Sequence, residues 1–193
     1  IYTADPKLVP KAQKLNEVEY EEMLELASYG TKFPPRCIEL GMIYEVPILV
    51  ASTFSGNPGT LIHQGATMTT KVGEFRNKVN GIATDTNVAK ITVLGVVDRP
   101  GIAANLFEPL ANSNISVDVI VQNASVKGIT DLTFTVKQTD LDQALEIATP
   151  VTQQLHGQGI SSAGNLAKVS IVGAGMLDAP GYAGKMFRTL ADA

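Results

Sequence analysis

The residues best suited to chemistry stand in one short turn. Asp98, Pro100 and Gly101 belong to "DRPGIAANLF", between the β-rich "KITVLGVV" and an apolar-faced helix. A helix start offers unpaired amide N–H groups and a partial positive charge, which suit a carboxylate. An aspartate beside it can accept hydrogen bonds from an ammonium, and a glycine leaves the backbone open to close approach. One such turn could hold both charged ends of a free amino acid. The same residues also serve as plain helix grammar, with Asp as the cap, Pro in an early position and Gly relaxing the turn. The motif returns from Asp178 as "DAPGYAGKMF", after "KVSIVGAGM".

Other chemistry is scarce. Cys37 is the single cysteine, which excludes an internal disulfide framework and a cysteine-based zinc cluster. His63 and His156 lie far apart without ligand-like spacing and read as surface or loop residues, so no metal site is expected. The net charge of -4 and the absence of a basic run argue against nucleic acid or an anionic membrane as partner. Apolar stretches such as "VPILVA" are far too short to span a bilayer, and no signal-peptide pattern opens the chain. A soluble cytoplasmic protein is the expectation. The chain begins at Ile1 without an initiator methionine and ends in the helix-like "FRTLADA", so both ends read as cut.

Hydrophobic residues make up 45% of the 193 residues and charged ones 18%, which supports a buried core and argues against wholesale disorder. Three regions differ in texture. Residues 1–63 mix α and β: "NEVEYEEMLELASYG" predicts a helix with Asn16 as cap, Glu19 completing a capping box and Gly30 as stop. "PPRCIELGMIYE" predicts a second helix and "VPILVAST" a buried strand. Residues 64–78 have no period and read as a linker. From Val79 the pattern changes. "VNGIATD" and "AKITVLGVV" predict strands separated by a turn at "DTN". A helix follows with Ile102, Leu106, Phe107 and Leu110 on one face, shortened or kinked by Pro109. "ISVDVIVQ" alternates through Ile115, Val117, Val119 and Val121, and "TDLTFTV" through Leu132, Phe134 and Val136. Residues 141–156 predict another helix, capped by Asp140 and stopped by Gly157; "ISSAG" and the next strand follow. This β-α-β-β-α-β order is that of a ferredoxin-like sandwich, an α+β fold. A second copy starts at Lys168: Lys90, Gly95, Asp98, Pro100, Gly101, Phe107 and Leu110 recur as Lys168, Gly173, Asp178, Pro180, Gly181, Phe187 and Leu190.

The run from "GVVDRPG" through "VQNAS" to "ITDLTFTV" resembles the ACT domain, a small-molecule-sensing module with a ferredoxin-like fold. Together with "KVSIVGAGM" and its following Pro-Gly, it resembles the tandem ACT region of the aspartate kinase family. "IYTADPKLVPKAQKLNEVEYEEMLELASYGTK" and "STFSGNPGTLI" resemble the C-terminal part of that family's amino-acid-kinase α/β domain. The resemblance implies four segments. Residues 1–63 would end the catalytic domain, 64–78 form the linker, 79–167 the first ACT domain and 168–193 the start of the second. The family's interleaved topology further implies that the strand around residues 79–83 pairs with the second copy.

Function follows from the same resemblance. It implies ATP-dependent phosphorylation of L-aspartate to 4-phospho-L-aspartate, with Mg2+ expected in the intact enzyme, at the head of lysine, threonine and methionine biosynthesis. Nucleotide-binding positions carried over by motif are Tyr2, Asp5, Pro6, Lys7 and Lys32. Lys7 stands where arginine is usual, which keeps the charge but loses the planar fork. "GTKFPPR" around Lys32 is a residue shorter than the usual segment and lacks its histidine. Effector-binding positions are Asp98, Gly101, Ile102 and Ala103 in the turn and helix start. Gln122 and Asn123 end the next strand, and Thr130, Asp131 and Thr133 lie on the strand after it. Asp98 would take an ammonium, the amides around residues 101–103 a carboxylate, and Gln122 and Asn123 polar contacts. Lysine, threonine or both are the implied effectors, bound where ACT domains pair in a homodimer. The family's Lys-Phe-Gly-Gly-Thr-Ser phosphate loop is not among these 193 residues, so no catalytic residue is assigned and the chain alone is expected to be inactive. The alternative is a non-catalytic amino-acid-binding regulatory subunit. RNA binding on the sheet is set aside, because the strands offer almost no aromatics and the charge is negative.

Overall fold

The computed structural model describes residues 1–30, 33–65, 79–123, 128–173, 176 and 180–193. Lys32, most of the expected linker and Asp178 therefore lie outside the described residues. The chain divides into two compact units, Ile1–Thr84 with Val169–Ala193, and Asp85–Lys168.

The first unit holds a three-stranded sheet built from β1 (Glu17–Glu19), β2 (Ile48–Val50) and β3 (Thr60–His63), in the order β1-β3-β2. β1 runs parallel to β3, and β2 antiparallel to it. Helices α1 (Tyr20–Ser28) and α2 (Pro35–Ile43) supply Tyr20, Met23, Ala27 and Ile38 to a core shared with Val18 and Ile62. The capping box expected at Asn16 and Glu19 does not form. Residues 17–19 extend into β1 instead, where Val18 is buried against β3, and Glu19 precedes the helix without a side-chain cap. Long-range strand pairing overrides local helix grammar here. Both expected helices are present. The expected strand at "VPILVAST" is short, and its Leu49 faces outward with its register partner Leu61.

The second unit is the sandwich. It is built from β4 (Gly81–Val97), α3 (Ile102–Asn112), β5 (Ile120–Gln122), β6 (Ile129–Lys137), α4 (Leu141–Gln154) and β7 (Gly159–Val172), the start of β4 and the end of β7 belonging to the first unit. The sheet order is β5-β6-β4-β7, with β6 antiparallel to both β4 and β5. Two central strands from non-adjacent parts of the chain, flanked by the other two, give the ferredoxin-like arrangement. Alternation decides which side chains go inward. Ile91, Val93, Leu132, Phe134 and Val136 are buried with Leu106 and Leu110 of α3 and Ala144 and Ala148 of α4. Phe107 meets Phe134 edge to face, with ring centroids 5.3 Å apart.

Several local expectations change. β4 is one continuous strand of 17 residues, with no turn at "DTN"; the Asp85 carboxylate accepts from the Asn87 amide within it. Pro109 does not shorten α3, which runs on to Asn112 because fully buried Leu106 and Leu110 outweigh the one missing backbone bond. β5 covers only the end of "ISVDVIVQ": Ile115 is buried, while Val119 and Val121 are exposed. A 3₁₀ turn, Gln138–Asp140, leads into α4, and Asp140 makes no side-chain cap. His156, at φ 55°, takes the left-handed position after α4, and the Gly157 amide reaches Thr152 O at 2.9 Å. The stop is thus a Schellman closure carried by His156 rather than by glycine.

The second copy of the repeat contributes α5 (Tyr182–Ala191) to the first unit. In that unit the Asn80 amide donates to Val172 O at 2.8 Å, and Leu26, Ala83 and Val172 form a small buried cluster.

Candidate functional site

The Asp98 turn is built by the end of β4. The Asp98 amide donates to Gly128 O at 2.9 Å, which ties the strand exit to the chain entering β6. Gly101 then takes φ +89°, a left-handed conformation, and serves as N-cap of α3 through its backbone alone. Asn105 N donates to Gly101 O at 3.0 Å, and Ile102 N to Arg99 O at 3.3 Å. The plain helix-cap reading of Asp98 is thereby overturned, because no side chain caps α3. The Asp98 carboxylate is exposed, and its Oδ1 lies 3.5 Å from Gln122 Nε2, the outer limit of a hydrogen bond. A Cβ added at Gly101 would meet nothing within 4 Å, so the mouth of α3 is open beside that carboxylate.

The other expected effector residues divide by face. Ile102 is buried, so its side chain belongs to the core, while Ala103 is half-buried in the first turn, where amides lack intrahelical partners. Gln122 and Asn123 are exposed at the end of β5. Thr130 lies on the helix side of β6, buried, and its hydroxyl donates to Asn123 O at 2.7 Å, fixing the approach of β5 to β6. Asp131 and Thr133 lie on the opposite face, half-buried. Thr133 Oγ1 is 3.0 Å from Thr92 Oγ1 on β4, and Asp131 Oδ1 accepts the Gly95 amide at 2.8 Å. Asp98 and Gln122 are thus brought together, and Thr130, Asp131 and Thr133 are each committed to a bond inside the sheet. Gly95 and Gly128 were given no role by sequence reasoning. An isolated glycine inside a strand pattern is the available signal for Gly95, since it marks a bulge. β5 is also an edge strand, and Val119, Ile120 and Val121 along it are exposed.

In the first unit, Tyr2, Asp5, Pro6 and Lys7 share one exposed loop. Tyr2 bridges to Lys14, and Asp5 closes a turn in which its carboxylate accepts the Lys7 amide at 2.9 Å and its carbonyl the Leu8 and Val9 amides. Asp5 is therefore a turn builder in this structure. Among the described residues, no group of three or more His, Cys, Asp or Glu side chains could hold a metal ion. Nor is any described helix long and apolar enough to cross a membrane.

Residues 1–52 match the amino acid kinase family, and residues 91–149 match the ACT domain. The chain is 42% identical over 195 residues to an aspartokinase of Corynebacterium glutamicum, an alignment covering all of this chain and 46% of that protein. The chain thus spans about half the length of the curated relatives it matches. The regulatory subunit of aspartate kinase from Thermus thermophilus is similar at 38% identity and a TM-score of 0.55, over 60% of this chain and 76% of that one. Aspartokinase III of E. coli shares the fold at 24% identity and a TM-score of 0.69, over 98% of this chain and 41% of that one. Kinase-type residues at the start, an ACT sandwich after them and full-length similarity to aspartokinases lead to one assignment: the chain belongs to the aspartate kinase family.

Proposed function

We propose that this chain carries the effector-sensing region of an aspartate kinase together with the end of its catalytic domain. The intact enzyme would transfer the γ-phosphoryl group of ATP to the β-carboxylate of L-aspartate, with Mg2+ accompanying the nucleotide. The loop holding Tyr2, Asp5, Pro6 and Lys7, with Lys32, would line the nucleotide site. Lysine or threonine, or both, would bind at the Asp98 turn and lower kinase activity by feedback. The E. coli enzyme named above was solved in complex with lysine and aspartate.

One observation carries the effector reading: the Asp98 carboxylate is exposed, faces Gln122 and is spent on no helix cap, beside the open mouth of α3. In this reading Asp98 takes the α-ammonium and the first-turn amides of α3, Ala103 among them, take the carboxylate. Gln122 and Asn123 supply polar contacts from β5. The exposed apolar edge of β5 suits pairing with a second copy, since an open edge strand is a template for strand addition. The regulatory-subunit reading is favoured by the match to the Thermus protein, but residues 1–52 match a kinase domain.

Calorimetric titration of the 193-residue chain with L-lysine and with L-threonine tests the proposal. At least one should bind, and Asp98→Ala should weaken that binding about tenfold or more, as expected for losing a charge-assisted bond. No heat with either amino acid overturns the effector reading. An unchanged affinity in the variant removes Asp98 from the shell.

A further inference from the structure

β4 and β6 do not stay in step. Val93 pairs with Leu132, but Val96 pairs with Thr130, so Leu94 and Gly95 together stand opposite the single residue Asp131. Two residues against one is a β-bulge, which leaves a backbone group out of the ladder. Here the Gly95 amide donates to Asp131 Oδ1 at 2.8 Å, and Leu94 O accepts from Gln158 N at 2.8 Å. Gly95 holds φ +63°, and a Cβ there would lie 2.4 Å from Gln158 Cδ.

One extra residue exchanges the faces of all that follow it, because strand side chains alternate. Val93 and Val96 are both buried, Val97 is exposed, and the Asp98 amide continues the shifted register onto Gly128 O. The bulge therefore decides from which face the Asp98 turn departs. We infer that Asp131 is a positioning residue for the effector turn: its carboxylate pins the Gly95 bulge, and through that bulge holds Asp98 opposite Gln122, without binding the ligand itself. This rests on the reading of the Asp98 turn as the effector site. It reassigns a residue whose position on the strand otherwise suggests direct ligand contact. The bond to the Gly95 amide needs an acceptor oxygen but no negative charge.

That difference gives the test. Asp131→Asn keeps the acceptor and removes the charge; Asp131→Ala removes both. Each variant of the 193-residue chain is titrated with L-lysine and L-threonine, and exchange of the Gly95 amide is followed without ligand. Asp131→Asn should stay within about threefold of the parent affinity with Gly95 protected, whereas Asp131→Ala should lose about tenfold or more in affinity and in protection. Equal loss of affinity in both variants, with Gly95 still protected in Asp131→Asn, overturns the inference in favour of direct contact. Unchanged Gly95 exchange in Asp131→Ala overturns it also. Should the parent bind neither amino acid, the effector reading falls, while the exchange comparison still decides whether Asp131 holds the bulge.

Discussion

Two glycines near the Asp98 turn hold left-handed backbone for different reasons. At Gly101 an added Cβ meets open space, so alanine there incurs only the conformational cost, about 1–2 kcal/mol. At Gly95 the same change adds a collision with Gln158, so Gly95→Ala should destabilise more than Gly101→Ala. Urea unfolding of the two variants checks the order, and equal losses would mean that the Gln158 side chain moves aside freely. The glycine of the Asp-x-Pro-Gly turn was legible in the sequence because turn chemistry is local. The role of Gly95 was not, because a bulge exists only relative to a partner strand, and Asp131 lies far along the chain. The Asp98 carboxylate was ambiguous for a related reason: cap or open ligand group depends on the backbone at Gly101.

The repeated helices separate pattern from packing. α3 and α5 derive from the same repeat, yet Leu110 is fully buried while its counterpart Leu190 is 56% exposed. Leu110→Ala should cost about 2–5 kcal/mol through transfer and cavity terms. Leu190→Ala should stay within about 0.5 kcal/mol, as for surface changes. Denaturant midpoints of the two variants measure the contrast, and similar losses would show that α5 packs as α3 does. Periodicity foretold an apolar face in α3 but not whether the matching face of its repeat would be covered. The strands of the sandwich were legible through their alternation at Leu132, Phe134 and Val136. The strand Glu17–Glu19 was not, since its partner Leu61–His63 is distant in sequence and Asn16 with Glu19 imitates a helix start.

On the scale of the molecule, kinase-type and sensing-type parts are both present, but phosphoryl transfer depends on groups that position and neutralise the phosphates. The 193 residues contain no Lys-Phe-Gly-Gly-Thr-Ser phosphate loop. Incubated with ATP, Mg2+ and L-aspartate, the chain should form ADP no faster than background in a coupled assay. Clear turnover would show that catalysis does not need the loop. The division into α/β and α+β parts was legible from texture and the repeat. The two compact units give way to one another at Thr84 to Asp85 and at Lys168 to Val169.

That boundary has a consequence of its own. Compact units usually meet in a flexible linker, but here both crossings, at Thr84 to Asp85 and at Lys168 to Val169, fall inside the continuous strands β4 and β7. The sandwich unit is therefore not portable. A recombination event that swapped it between relatives at these points would have to splice two strands without gaining or losing a residue, or turn their buried faces outward. Exchange of such units is constrained by strand parity, and the tolerated cut sites should lie in loops well away from the unit's own limits.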